Sequence, residues 1–185
     1  MDLLKEAKKA AQEADAVILV IGTNSDWETE GNDRADLGLP ANQDELVDAV
    51  LAENKNTVVV INSGSPVSMP WEDQSKAILQ SWFGGQEYGN ALMDILFGEV
   101  NPSGKLPTTF PKRIEDTPAF SCYPGENSQM DYEEKLLVGH RWYERKNIKS
   151  LFPFGHGLSY TDFSYGDLEI SVSGNADVVL SLIHI

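Results

Sequence analysis

The sequence has one cysteine, few basic residues and no long apolar run. Cys122 has no partner for an internal disulfide, and no Cys/His spacing typical of a metal site surrounds it, so we expect no bound metal. Lys and Arg number 14 against 29 Asp and Glu, and the net charge of -15 repels phosphate backbones and anionic membranes. No apolar run approaches the roughly 18 residues of a membrane span. We therefore expect no nucleic-acid and no membrane partner.

Motifs for binding a cofactor are also missing. Gly84, Gly85 and Gly89 lie between a strand-like and a helix-like segment, as the glycines of a phosphate-binding loop do. No Lys followed by Ser or Thr comes after them, and no dinucleotide-binding pattern is present. The sequence therefore predicts no cofactor, and tight packing explains these glycines better.

Helical and strand patterns alternate along residues 3–97. Apolar residues at helical spacing predict helices over 3–14, 43–53 and 87–97. Short apolar runs closed by turn residues predict strands over 16–22, 57–61 and 77–82. Asn42, with Glu45 three residues later, predicts the N-cap of the second helix. The alternation predicts an α/β fold, a sandwich in which helices flank a mostly parallel central sheet.

The second half of the chain is less regular. Residues 105–110 predict a short strand at a sheet edge because they contain a proline, and residues 111–129 predict a surface loop of a length that is uncommon without a function. Residues 167–172 alternate as a strand does, whereas the apolar ending, 180–185, has no evident partner strand.

Four aromatic residues, Phe152, Phe154, Tyr160 and Phe163, lie in a turn-rich segment with glycines between them. Such a group is either part of the core or a platform on which sugar rings stack, and the core is the commoner outcome.

An acidic loop, residues 25–40, follows the first predicted strand. The carboxyl ends of buried parallel strands are where α/β proteins place their sites. Within eight residues this loop carries the charged side chains of Glu28, Glu30, Asp33 and Arg34.

Four motifs stand in order along the chain: WETEGNDRADLGLP at 27–40, INSGSPVSMPW at 61–71, WFGGQEYGNALMDILFGEVNPSGKLPTTFP at 82–111, and YEEKLLVGHRWYE with FPFGHGLSYTDF within 132–163. In order and spacing they resemble the C-terminal sandwich domain of family 3 glycoside hydrolases of the β-glucosidase type. The resemblance covers residues 5–172.

The resemblance implies two domains. Residues 1–163 are expected to form an N-terminally truncated α/β sandwich, and residues 164–185 the truncated beginning of a fibronectin-like β-domain. The family also has an N-terminal β/α barrel, which carries an Asp nucleophile and is expected as the missing partner of this chain.

The activity implied is retaining hydrolysis of terminal β-D-glucosides by an exo-acting enzyme. Such hydrolysis needs two carboxyl groups on opposite sides of the glycosidic bond, and the sandwich supplies one of them. The family motif places the general acid/base at Glu134, with His140 where the family usually has Tyr. A shift of one residue in register would select Glu133 instead, and a solvated carboxylate is the alternative without function.

The acidic loop implies a second set of site residues. In some branches of the family the proton donor lies in this loop, which makes Glu30 the second candidate for the general acid/base. Glu28, Glu30, Asp33 and Arg34 are predicted to bind the substrate, a small β-glucoside or an oligosaccharide, although Asp33 and Arg34 are equally suited to an interface ion pair. Asp26 is not assigned as a nucleophile, because its flanking residues match the sandwich loop and not the barrel.

Two other functions remain open. The chain is alternatively a non-catalytic module that binds a carbohydrate or a partner protein through residues 25–36, or a gene fragment without an independent function. Because the nucleophile is expected in the barrel, the isolated chain is predicted to be inactive.

Overall fold

The computed structural model describes residues 2–127, 129–164, 166, 169–173 and 177–181. A parallel sheet of three strands is its centre, in the order β1 (Val17–Gly22), β2 (Thr57–Asn62) and β3 (Ala77–Gln80). Three helices accompany these strands: α1 (Leu3–Glu13) precedes β1, α2 (Gln43–Glu53) lies between β1 and β2, and α3 (Tyr88–Leu96) follows β3. The predicted α/β class, with a parallel sheet and helices, is confirmed. None of the helices in the described part of the chain is long and apolar enough to cross a membrane.

One face of the sheet carries the core. Ile21 pairs with Ile61 across the β1–β2 ladder, and both belong to a cluster of buried side chains. The α2 helix contributes Val47 and Leu51 to this cluster, and the segment after β2 contributes the fully buried Trp71. The opposite face is less covered at β1, where Ile18 and Val20 are exposed. The buried side chains of this cluster therefore lie mainly on the face of the sheet that is covered by α2 and by the segment after β2.

The end of β1 is fixed by one glutamine. The Gln43 side chain accepts a hydrogen bond from the Gly22 amide at 2.7 Å and donates one to the Gly22 carbonyl at 2.8 Å. It therefore replaces the ladder contacts that a further strand would make, and it joins the first turn of α2 to the point where the chain leaves the sheet. The acidic loop begins directly after this point.

Asn42 does not cap α2 as the sequence predicted. Its side chain makes no hydrogen bond to a backbone amide of the first turn, and its amide instead donates to the Glu45 carboxylate at 3.2 Å. The helix begins where predicted, but the side-chain hydrogen bonds that position its first residue are those of Gln43 with Gly22.

Residues 105–110 do not form the predicted strand. Their pairing with residues 151–156 consists of one isolated antiparallel bridge, Phe110 with Phe152, a hydrogen bond from the Leu151 amide to the Phe110 carbonyl, and hydrogen bonds of Leu106 with Gly155 and His156. The prolines on both sides and inside the segment remove donors that a regular ladder needs. A short helix that the sequence pattern did not predict, α4 (His140–Lys146), lies within the fourth motif.

The C-terminal segment contains a hairpin. Strands β4 (Glu169–Ser173) and β5 (Asp177–Ser181) pair antiparallel in a two-stranded sheet of their own. The expectation that the apolar ending has no partner strand is wrong for Leu180, which pairs with Ile170. Residues 167, 168 and 182–185, included in the two predicted segments, lie outside the described residues. Assignment of this hairpin to a fibronectin-like domain stays a prediction.

Gly22 provides a test of this packing. A Cβ added to Gly22 would lie 2.0 Å from the Asn62 backbone oxygen, so the two strands would have to separate. We expect Gly22→Ala to lower the free energy of unfolding by about 2 kcal/mol or more, as measured by urea denaturation. The control is Gly89→Ala in α3, where a Cβ meets no heavy atom within 4 Å, so the expectation of tight packing at this glycine is wrong. Because alanine favours helix, the control is expected to be neutral or stabilising, and equal losses in both variants would contradict a close approach of β1 and β2 at Gly22.

Candidate functional site

The loop after β1 begins with an asparagine turn. The Asn24 side-chain oxygen accepts hydrogen bonds from the amides of Asp26 at 3.0 Å and Trp27 at 3.2 Å. The Asn24 carbonyl accepts from the amide of Glu28 at 2.8 Å. This compact turn reverses the chain at the sheet edge, so Glu28 comes back toward the end of β2.

Glu28 is surrounded by hydrogen-bond donors. Its carboxylate accepts from the Thr23 hydroxyl, from the Gly64 amide at 3.1 Å and from the Ser65 hydroxyl at 2.9 Å. Thr23 follows β1, and the other two residues follow β2. The carboxylate therefore ties together the ends of two neighbouring parallel strands.

This environment keeps Glu28 ionised. Burial raises the pKa of its carboxyl, but the hydrogen bonds from Thr23, Ser65 and Gly64 and the charge of Arg34 lower it by more, and the pKa lies below the ordinary 4.5. A carboxyl that stays ionised and is fully hydrogen-bonded is a poor proton donor at neutral pH. Its geometry makes it an anchor for the loop.

Arg34 completes the anchor. Its guanidinium donates to the Ser65 hydroxyl at 2.9 Å and to the Pro66 carbonyl at 3.0 Å, and it lies 4.0 Å from the Glu28 carboxylate. The side chains of Arg34 and Glu28 are 13% and 15% exposed, so solvent screens this pair only partly. Within the described residues the acidic partner of Arg34 is Glu28 and not Asp33.

An open depression of about 390 Å³ lies on this anchored loop. Its lining includes the four predicted site residues of the loop together with neighbours from the loop and from the turn after β2: Trp27, Glu28, Thr29, Glu30, Asn32, Asp33, Arg34 and Ser65. The structure thus brings together all four residues predicted from the acidic loop. Glu30 is exposed there, next to Gly31, whose φ of 82° allows the tight turn that pairs Thr29 with Asn32.

Asp33 is held by the long loop 111–129. The Tyr123 hydroxyl donates a hydrogen bond to the Asp33 carboxylate, and this bond, with burial and the negative charge of Asp33, raises the pKa of the Tyr123 phenol. Two residues earlier in the chain, the Ser121 hydroxyl donates to the Glu133 carboxylate at 3.3 Å. Residues 121–123 therefore connect the acidic loop with the segment that carries Glu134.

Glu134 itself is half-buried and lines neither the depression nor the larger cavity formed by α4 and residues 147–154. Its Oε2 atom is buried and has no hydrogen-bond partner among the described residues. The next residue, Lys135, has a φ of 52°, so the backbone turns sharply at this position. The position of Glu134 as the general acid/base stays a prediction.

The expectation that the late aromatic residues form core is wrong for three of the four. Phe152 is half-buried and packs against the core, but Phe154, Tyr160 and Phe163 are exposed. Residues 152–163 run along the surface because Pro153, Gly155 and Gly157 favour turns and not a buried element.

Sequence reasoning missed Thr23, Ser65 and Tyr123. Thr23 and Ser65 could have been found, because each follows one of two neighbouring parallel strands and such residues meet at the same sheet edge. Tyr123 lies 90 residues from Asp33 in an irregular loop, where no periodicity indicates a contact. Within the described part of the chain, no group of three or more His, Cys, Asp or Glu side chains is suited to a metal ion.

Comparison with known proteins identifies the family. The model of the Glycosyl hydrolase family 3 C-terminal domain matches residues 2–160. This chain belongs to that family.

The chain is similar to curated β-glucosidases. It is 49% identical over 170 residues to probable beta-glucosidase I of Aspergillus terreus, covering 92% of this chain and 20% of that protein. It is 47% identical over 184 residues to thermostable beta-glucosidase B of Acetivibrio thermocellus, covering 98% of this chain and 24% of that protein. The chain thus spans about a fifth to a quarter of the length of these relatives.

The chain is also similar to solved structures of β-glucosidases. The beta-glucosidase from Kluyveromyces marxianus in complex with glucose matches with a TM-score of 0.86 and 44% identity, covering 91% of this chain and 20% of that one. DesR, a beta-glucosidase from Streptomyces venezuelae in complex with D-glucose, matches with a TM-score of 0.86 and 40% identity, covering 97% of this chain and 23% of that one.

Glu28→Gln tests the anchor. An amide donates hydrogen atoms where the carboxylate accepts them, so we expect the free energy of unfolding at pH 7 to fall by about 1–3 kcal/mol. The lowered pKa of Glu28 stabilises the wild type above pH 4.5, and this contribution disappears as the pH falls through the folded-state pKa. The difference between variant and wild type should therefore shrink in acid.

Urea denaturation at pH 7 and at pH 3 measures this difference. Glu30→Gln is the matched control, because Glu30 is exposed and lies on the same loop, and we expect it to change stability by no more than about 0.5 kcal/mol. A loss for Glu28→Gln that is equally large at both pH values would argue against an ionised anchor.

Proposed function

We propose that this chain is the sandwich domain of a retaining β-glucosidase and that it supplies the carboxyl group for proton transfer. A barrel domain supplies the carboxylate nucleophile from the opposite side of the substrate. Membership of the family, the names of the relatives and the carboxylates around the depression support this proposal. The observation that carries it is the anchored loop, which presents an exposed carboxylate beside an aromatic residue at the surface.

Glu30 is the residue that we propose for the general acid/base. It lines the depression and is exposed, so a glycosidic oxygen can reach its carboxyl without a rearrangement of the loop. Glu28, two residues earlier, is occupied by its donors. Glu134, the first choice from the family motif, has one oxygen buried without a donor and would need to turn outward.

The neighbours of Glu30 have separate roles in this proposal. The Trp27 indole is fixed by a hydrogen bond from its N–H to the Gly38 carbonyl at 3.3 Å, and its ring forms a wall against which the apolar face of a sugar packs. Asp33 accepts hydrogen bonds from sugar hydroxyl groups. Arg34 holds the loop through Ser65 and Glu28 and does not bind the sugar.

The reaction follows from two carboxyl groups about 5–5.5 Å apart. In the first step the barrel carboxylate attacks the anomeric carbon while the Glu30 carboxyl donates its proton to the leaving oxygen. In the second step the Glu30 carboxylate takes a proton from water, and the water attacks the anomeric carbon from the same side as the departed aglycone. Two inversions give overall retention.

A chimeric enzyme tests the assignment. In this chimera, the present chain replaces the matching segment of thermostable beta-glucosidase B of Acetivibrio thermocellus, with which it aligns over 184 residues. We expect Glu30→Gln to lower kcat/KM for an alkyl β-glucoside by about 10²–10⁴-fold, because the poor leaving group needs a proton donor. A dinitrophenyl β-glucoside, whose leaving group needs no proton, should lose far less in the glycosylation step.

Glu134→Gln and Glu133→Gln in the same chimera are the comparisons. If the leaving-group dependence appears with Glu134→Gln and is absent with Glu30→Gln, the proton donor is Glu134 and the division of labour between the domains still stands. Hydrolysis by the isolated chain would contradict that division.

A further inference from the structure

Glu30 lies at the tip of a tight turn. An isolated antiparallel bridge pairs the first and last residues of the turn 29–32, so Glu30 and Gly31 lie between its two legs. Glu28 directly precedes this turn, and Asp33 directly follows it. The position of the Glu30 carboxyl therefore depends on how these two flanking residues are held.

On one side the turn is attached to the segment after β2. The Glu28 carboxylate accepts hydrogen bonds from the Gly64 amide at 3.1 Å and from the Ser65 hydroxyl at 2.9 Å. The Arg34 guanidinium donates to the same Ser65 hydroxyl at 2.9 Å and to the Pro66 carbonyl at 3.0 Å. Because these partners are neighbours in one short segment, an attachment to a different segment is what limits pivoting of the turn about them.

Tyr123 provides this other attachment. Its hydroxyl donates a hydrogen bond to the Asp33 carboxylate, and this bond above all raises the pKa of the Tyr123 phenol. The phenol therefore stays neutral at the pH of catalysis. Unlike Lys or Arg, it holds Asp33 without a positive charge, which would favour the ionised form of nearby carboxyl groups and so weaken a proton donor.

The loop that carries Tyr123 is itself held in place. The Tyr123 amide donates a hydrogen bond to the Ala119 carbonyl at 2.9 Å, within the loop. Near the start of the loop, the indole N–H of Trp142 in α4 donates to the Asp116 carbonyl at 3.2 Å. The Tyr123 phenol therefore extends from a backbone that is connected to the rest of the domain, and it can act as a fixed point for Asp33.

We propose that Tyr123 is a positioning residue for the proton donor. Through Asp33 it holds the turn 29–32 so that the Glu30 carboxyl is directed at the glycosidic oxygen. This inference rests on the proposed function, in which Glu30 transfers the proton. A proton donor must lie within about 2.6–3.2 Å of the atom that it protonates, and a displacement of about 1 Å can lower the rate about 10²-fold. Loss of the Tyr123 hydroxyl should therefore impair proton donation specifically.

Tyr123→Phe in the chimeric enzyme tests this inference, because it removes the hydroxyl and keeps the ring. We expect kcat/KM for the alkyl β-glucoside to fall about tenfold, since its leaving group needs a well-placed proton donor. For the dinitrophenyl β-glucoside, kcat/KM should fall less than about twofold. In the Glu30→Gln background Tyr123→Phe should cause no further loss, because no proton donor is left to position.

Tyr160→Phe is the matched control. It also removes a phenol hydrogen bond from an exposed tyrosine, the bond to the Ile95 carbonyl at 2.9 Å, and Tyr160 does not line the depression. We expect it to leave kcat/KM unchanged for both substrates. The unfolding temperatures of both Tyr→Phe variants should stay close to that of the parent enzyme, because each substitution removes one exposed hydroxyl.

The outcomes separate this inference from the proposed function. Equal losses for the two substrates with Tyr123→Phe would overturn the inference, since the residue would then act on sugar binding or folding and not on proton transfer. If Glu30→Gln shows the leaving-group dependence and Tyr123→Phe causes no loss, the inference fails while the proposed function stands. If Glu30→Gln itself shows no leaving-group dependence, the proposed role of Glu30 falls, and this inference falls with it.

Discussion

The Glu28 carboxylate joins the ends of two parallel strands, and the surface of the depression depends on this junction. Without an acceptor at this point, the Thr23 hydroxyl, the Gly64 amide and the Ser65 hydroxyl would lose a common partner. The Arg34 guanidinium binds to the same group of atoms from the other end of the loop. The segment from Glu28 to Arg34 is therefore tied down at both of its ends, and the residues between them hold their positions over the sheet edge.

The same loop shows how neighbouring carboxylates take different roles. Glu28 points into a group of donors and is ionised, whereas Glu30 lies beyond a tight turn and faces solvent. Side-chain environment, and not the type of residue, separates an anchor from a candidate catalyst. The positive φ at Gly31 makes this separation possible, because the backbone reverses within the two residues that follow Glu30.

The sequence was most informative where a regular pattern and a buried strand coincide. The three strands of the parallel sheet and the three preceding or following helices lie within a few residues of their predicted bounds, because short apolar runs flanked by Gly and Asn have few alternative structures. The segment 105–110 was misjudged because its prolines remove the donors of a regular ladder, and α4 was missed because seven residues give too little periodicity.

The sequence indicates where the candidate site lies but not the long-range contacts that hold it. The position of the acidic loop after β1 indicated the location, and all four of its predicted residues line one depression. The contacts of Tyr123 and Ser121 join segments far apart in the sequence and depend on the folding of an irregular loop. Such contacts follow from tertiary structure alone, and no local pattern indicates them.

The short segment from Ser121 to Tyr123 restricts where residues can be inserted into this part of the chain. These three residues set the distance between the acidic loop and the segment at Glu133, since one end binds Asp33 and the other binds Glu133. A single residue inserted at Cys122 would alter this distance by about 3.5 Å, which is more than a hydrogen bond tolerates. The spacing from Ser121 to Tyr123 is therefore constrained.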